Sequence, residues 1–318
     1  MKREGVYAPA DTAKKTLLDP KKNGGSLAFF FVLFNYLYIS YLRWWKSKQR
    51  TENRTGAYSL PYPLFVRAKN NLSRYCTKVA LNILIMEVTS SIVNLSEYDK
   101  QGSAIVHRLH VHITDPEARI ADMIRNISDM TWVSKLDIYA QTSYQAALDE
   151  TIPLILTVLK SYVIENEITK DIGEYLVSDS ACESLHQSYN HIRLPLSELW
   201  KEKKSGNPGF DFHTVSIQNH VIFGEAKYRT NSNPHTEALR QTSRFFNDKK
   251  HEKDVIHIKA IAGEEPANKI ISGEFGCAVA FSVHGDNIDN IIDFALRCEH
   301  IDSLLNYKEV YVIGVEIC

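Results

Sequence analysis

The run "PGFDFHTVSIQNHVIFGEAKYR", Pro208 to Arg229, sets the ionisable side chains Asp211, Glu225, Lys227 and Arg229 into an otherwise apolar and small-polar stretch. Side chains alternate across a strand, so Val221, Phe223, Glu225, Lys227 and Arg229 share one side. Asp211 stands fourteen residues before Glu225, on the preceding strand of a hairpin that turns at Gln218–Asn219. That turn is expected to bring Asp211 beside Glu225. Two carboxylates converging at the end of a sheet suit magnesium, or manganese in its place, which takes one or two carboxylates plus waters and phosphate. The backbone carbonyl of Ala226 is a third candidate ligand. Lys227 would then sit where an attacking water or a scissile phosphate oxygen lies. A cation there lowers the water's pKa or neutralises charge building on phosphorus. The chemistry expected is metal-assisted phosphodiester hydrolysis. By itself, Glu-x-Lys on a strand face is usually a solvated pair that contributes little. Here the run "VIFGEAKY" is too apolar for a solvated edge, an acid precedes it at hairpin distance, and a helix with Gln241 follows.

The elements that must position these residues are legible in outline. After the turn-rich "KEKKSGNPG", Phe210–Ser216 and His220–Tyr228 read as paired strands, and "PHTEALRQTSRFF" as a helix capped by Thr236 with Leu239, Thr242, Phe245 and Phe246 inward. "GCAVAFSVH" reads as a buried strand, Asn287–Leu305 as helical, and "EVYVIGVEIC" as a further strand. Upstream, apolar spacing predicts a helix from Leu64 to Asn94, a strand over Ser103–Thr114, and a helix opened by Asp115 and Pro116. Two more helices are expected near Ser143–Val163 and Ile168–His191, the first kinked or started by Pro153. The expected fold is α/β, a mixed sheet flanked by helices after a mainly helical N-terminal region. Three segments are expected: a polar start, aromatic segment and linker (1–63), a helical regulatory or docking region (64–166), and the catalytic domain (167–318).

Composition sets the outer bounds. The 318 residues are 44% hydrophobic and 24% charged with a net charge of −1, so nucleic-acid binding would need a local basic patch. Lys201, Lys203, Lys204, Arg229, Arg240, Arg244, Lys249 and Lys250 flank the proposed site in sequence and could form one. Nothing in them reads bases. The five cysteines are scattered, odd in number and without a CxxC pair, which fits a reducing, cytoplasmic compartment. "SLAFFFVLFNYLYISYLRWW" (Ser26–Trp45) is too short and too interrupted by Asn35 and Ser40 for a membrane helix, so it reads as buried structure, with a membrane or partner anchor as the other reading. In "HRLHVH", His110 and His112 share a strand face with a spacing compatible with a transition metal. With only Asp115 nearby in sequence, a solvated face is the default for these histidines.

An acid, a gap and Glu-x-Lys within helix–hairpin–helix–strand resembles the PD-(D/E)xK nuclease superfamily. Gly209-Phe210-Asp211 stands at the first half of its motif and Glu225-Ala226-Lys227 at the second. Pro208 lies three positions before Asp211 rather than next to it. "IGEYLVSDSACESLH", "GFDFH" and "FGEAKYR" together are similar to the nuclease-subunit family (HamA) of Hachiman-type bacterial anti-phage systems, over about Asp171–Phe246. The resemblance implies Asp211 and Glu225 as metal ligands and Lys227 as the catalytic cation. It also implies a helix acid, Glu174 with Glu183 as its rival, and a helix glutamine, Gln241, near the site or the DNA backbone. His213, two residues beyond Asp211, is either a phosphate contact or an ordinary strand histidine. A helicase partner and a nucleic-acid substrate, DNA above all, are further implications. The competing readings are a stand-alone restriction-type endonuclease and a non-catalytic binding module that keeps the nuclease fold.

Overall fold

The computed structural model describes residues 85–201 and 209–318. The expectations for 1–63, including Ser26–Trp45, and for 64–84 lie outside the described residues. So do Lys203 and Lys204.

Among the described residues, seven strands form one mixed sheet: β1 (Met86–Ile92), β2 (Ile105–Ile113), β3 (Ile192–Arg193), β4 (Phe212–Val215), β5 (Val221–Lys227), β6 (Gly276–Val283) and β7 (Glu309–Ile317). Their order is β1-β2-β7-β6-β5-β4-β3. The four central strands, β2, β7, β6 and β5, run parallel, and antiparallel partners close both flanks. β5 and β6 are buried along their whole length, which is why "VIFGEAK" and "GCAVAFSV" are near-continuous apolar runs rather than alternating ones. β2 alternates instead: Leu109, Val111 and Ile113 are buried, while Arg108, His110 and His112 are partly exposed.

Among the described residues, seven α-helices accompany the sheet: α1 (Pro116–Ser128), α2 (Ile138–Glu165), α3 (Lys170–Tyr189), α4 (His235–Asn247), α5 (Lys250–Ala262), α6 (Glu264–Ile271) and α7 (Ile288–Arg297). α3 is buried almost all round, because it packs on the sheet with one side and on α1 and α2 with others. Thr169 caps its start by accepting a bond from Ile172 N, and Asn190 ends it at φ 57°. Asp115 caps α1 as expected, its carboxylate accepting from Ala118 N with Pro116 in the first turn.

Two expectations are corrected, one is narrowed, and two helices are added. The end of the helix read over Leu64–Asn94 is instead the edge strand β1 (Met86–Ile92), where β2 offers a ladder of partners that outweighs the helical spacing. Of the two readings of Pro153, a kink or a helix start, the start is excluded, since α2 runs through it from Ile138. α4 begins one residue before Thr236, with Pro234 at the cap position and no side-chain cap bond. Helices α5 and α6 between α4 and β6 had no place in the sequence reading. Because β2 pairs with β7, one sheet spans both sides of the expected 166/167 boundary.

Candidate active site

The hairpin of β4 and β5 holds the site, and aromatic packing holds the hairpin. Phe210 lies 5.1 Å from Phe223 and 4.8 Å from Phe246 of α4, centroid to centroid, and Phe245 meets it edge-on. Gly224 faces the ring of Phe212 so closely that an added Cβ would stand 2.3 Å from it. The hairpin turns with Asn219 at φ 61°, a conformation that asparagine tolerates better than most residues.

Asp211 sits one residue before β4, and its N–H donates to Gly224 O at 2.8 Å, extending the ladder. Its Oδ2 accepts from Ala226 N, also at 2.8 Å, which fixes the carboxylate at the end of β5. Glu225 is fully buried. Its Oε1 accepts from Lys227 Nζ at 2.5 Å, and the same ammonium donates to Ala226 O at 3.1 Å. Glu225 Oε2 is buried and receives no hydrogen bond. The Asp211 carboxyl beside it can bond to Glu225 only when one of the pair carries a proton. The three residues singled out in the sequence therefore converge, and the Ala226 carbonyl converges with them.

Charge in this cluster is unbalanced. Burial, and next the charge of Asp211, push the Glu225 carboxyl well above the usual range, against the pull of Lys227. Burial likewise raises Asp211, with Lys227 opposing. Burial alone would lower Lys227, but Glu225 and Asp211 outweigh it and hold its ammonium above the ordinary lysine value. Glu174, on α3, is raised by burial and feels both Lys227 and Asp211. α3 comes this close because of Gly173, where a Cβ would stand 2.2 Å from the Tyr228 ring just beyond β5. Asp211 and Glu225 thus crowd one ammonium, Lys227, Glu174 divides its pairing between that charge and Lys170 at 3.7 Å, and one Glu225 oxygen is unbonded. That donor set fits a divalent cation, and Asp211, Glu225 and the Ala226 carbonyl are the groups that would hold it.

A cleft of about 150 Å³ adjoins the cluster, lined by Asp171, Glu174, Tyr175, Ser178, Glu198 and Asp211. The sequence reading missed four of these. Asp171 and Ser178 lie three and four residues from Glu174, on one helix face, so helical spacing could have found them. Glu198 arrives from a short 3₁₀ turn and only tertiary structure brings it there.

Other candidates fall elsewhere. Glu183 is not at the cleft: it pairs with Arg193 in a buried network with Asp179 and Arg119. Gln241 is half-buried on α4 and has no hydrogen bond to the cluster among the described residues. Of the two readings of His213, the structure shows the ordinary strand histidine, packed in the core, and not the phosphate contact. It is fully buried, bonded to Ser197 Oγ at 3.0 Å and Asp254 Oδ2 at 3.1 Å, and burial lowers its pKa to about 4. Of the basic residues, Lys201 pairs with Asp254 at 2.8 Å, Arg229 with Glu237 at 2.8 Å and Lys249 with Glu252 at 3.1 Å. Arg240 and Arg244 are exposed on α4. No helix among the described residues is long and apolar enough to cross a membrane.

Comparison with known protein families finds no family model that matches this chain, and no curated protein matches it.

Proposed function

We propose that the chain is a divalent-metal-dependent nuclease that hydrolyses phosphodiester bonds, with Asp211, Glu225 and Lys227 at its centre. The observation that carries this reading is the fully buried Glu225, whose Oε2 has no hydrogen bond while Lys227 holds Oε1 and the charge of Asp211 acts on the same carboxyl. A carboxylate without enough positive charge is costly to bury. A structural ion pair would not need two more acids beside it. A cation-binding site does.

Bound magnesium or manganese would neutralise phosphate charge and acidify a water. The chain's own groups do the rest. Ala226 N orients Asp211 through the bond to Oδ2. Lys227, its charge held by Glu225 and Asp211, is the cation available to an entering phosphate oxygen or to the water that attacks in line. Glu174 lines the adjoining cleft and is poised to accept a proton or to bond that water. The arrangement of α3, the β4–β5 hairpin, α4 and β6 supports the PD-(D/E)xK reading drawn from the motif. DNA as substrate, action within a bacterial anti-phage system and a helicase partner rest on the sequence resemblance alone.

The test is cleavage of plasmid DNA by the purified chain with magnesium, with manganese and with chelator. Cleavage that needs the divalent ion and is lost in Lys227→Ala, with circular dichroism unchanged, is expected. Equal cleavage by that variant would remove the mechanism. Binding of DNA without cleavage under any ion would leave a non-catalytic module. Activity appearing only with an added helicase subunit would favour the defence-system role over a stand-alone restriction-type enzyme.

A further inference from the structure

We propose that His110, His112, Glu316 and Cys318 form a binding site for a transition-metal ion of the zinc class, separate from the nuclease cluster. In sequence the two histidines have only Asp115 at short range, and a solvated face was the expectation. The sheet supplies what the sequence distance hid. β2 and β7 run parallel in register, His110 beside Gly314 and His112 beside Glu316, so Glu316 and Cys318 fall on the same face as the histidines.

The contacts are direct. His110 Nε2 lies 3.0 Å from Glu316 Oε2, and His112 Nε2 lies 2.9 Å from Cys318 Sγ. One donor atom from each of His112, Glu316 and Cys318 lies within 4.8 Å of the other two. Ligand atoms around tetrahedral zinc stand about 3.3–3.6 Å apart, given Zn–N and Zn–O near 2.0–2.1 Å and Zn–S near 2.3 Å. Small side-chain rotations close that difference. His110, outside that group of three but 3.0 Å from Glu316 Oε2, is the side chain that would turn in to the fourth position. Glu87 stands opposite His112 on β1 and adds a carboxylate to the same face. Two imidazoles, a thiolate and a carboxylate suit zinc, cobalt or copper rather than magnesium, which prefers oxygen. The site is half-buried at the histidines and Glu316 and exposed at Cys318, so an ion reaches it without a lid.

An ion here would fasten β2 to β7, the parallel pair through which β1 and β2 join the rest of the sheet. Its contribution would be to stability rather than to the chemistry at Glu225. It stands whether or not the chain is a nuclease.

The test uses the full chain, stripped with chelator and titrated with Co²⁺ as the probe. Expected is one bound equivalent showing a thiolate-to-cobalt charge-transfer band and tetrahedral visible bands. Cys318→Ser should abolish the charge-transfer band, and His112→Ala should weaken binding at least tenfold. Cys298→Ser and Glu225→Gln should keep the band. Zn²⁺ should raise the melting temperature of the parent chain and not of Cys318→Ser. Absence of the charge-transfer band, or its persistence in Cys318→Ser, would overturn the site: the four residues would then form only an ordinary ion pair and an imidazole–thiol contact.

Discussion

At Glu225 two demands oppose each other, since the carboxylate that a divalent ion needs is the one that folding alone would avoid burying. Its pKa in the folded chain is raised above the ordinary 4.5. The native state therefore holds a proton longer than the unfolded state does. The sign follows: stability falls as pH rises from about 4.5 through the folded value, and the loss persists above it. His213 and His191, both lowered to about 4 by burial, act in the other direction, losing stability as pH falls from 6.5. The difference between parent and variant isolates the glutamate. Glu225→Gln should be more stable than the parent in metal-free buffer at neutral pH, by an amount that shrinks toward pH 4, and should lose cleavage. Urea unfolding across pH, with chelator, measures it. A variant less stable at neutral pH would show that Lys227 already compensates the charge in full.

At the scale of elements, the approach of α3 to the end of β5 decides whether Glu174 joins the site. Gly173 makes that approach possible, because the rigid and buried Tyr228 ring occupies the space of any Cβ there. Gly173→Ala gains helix propensity of up to about 1 kcal/mol. It should nonetheless destabilise the chain by about 1–3 kcal/mol through overpacking. Moving α3 outward should also slow cleavage more than it weakens DNA binding. Denaturation together with separate kcat and KM measurements would check this, and an unchanged kcat would show that Glu174 has no part in the chemistry. The β4–β5 hairpin is secured differently, through the Phe210 aromatic cluster on one side and through His213 bonded to Asp254 of α5.

Across the whole molecule, helices and sheet are tied by buried charge as well as by apolar contact. Arg119 of α1 donates to Ser180 at 3.1 Å and pairs with Asp122 at 3.1 Å and with Asp179, which also meets Arg193 of β3 at 2.5 Å. Removing one partner from such a network leaves buried carboxylates short of positive charge. Arg119→Met is expected to cost about 3 kcal/mol while leaving the cluster around Glu225 intact, so cleavage per folded molecule should be unchanged. Chemical denaturation and activity normalised to the folded fraction would establish both. Loss of activity out of proportion to unfolding would mean that α1 and α3 position the site more tightly than their contacts indicate.

Local pattern determined much of this protein. The near-continuous apolarity of "VIFGEAKY" and "GCAVAFSV" was enough to read β5 and β6, Asp115-Pro116 marked the start of α1, and the hairpin spacing brought Asp211 to Glu225. Each of these depends on near neighbours in the chain, where periodicity and turn chemistry act directly. Tertiary structure alone decided the rest. β1 became a strand because β2 lay open beside it, and His213 went into the core because Ser197 and Asp254 could satisfy its ring there. Glu198 reached the cleft, and Glu316 and Cys318 reached His110 and His112, across roughly two hundred residues in the latter case. Sequence spacing carries no record of such meetings, because parallel pairing and helix packing join segments whose separation along the chain is arbitrary.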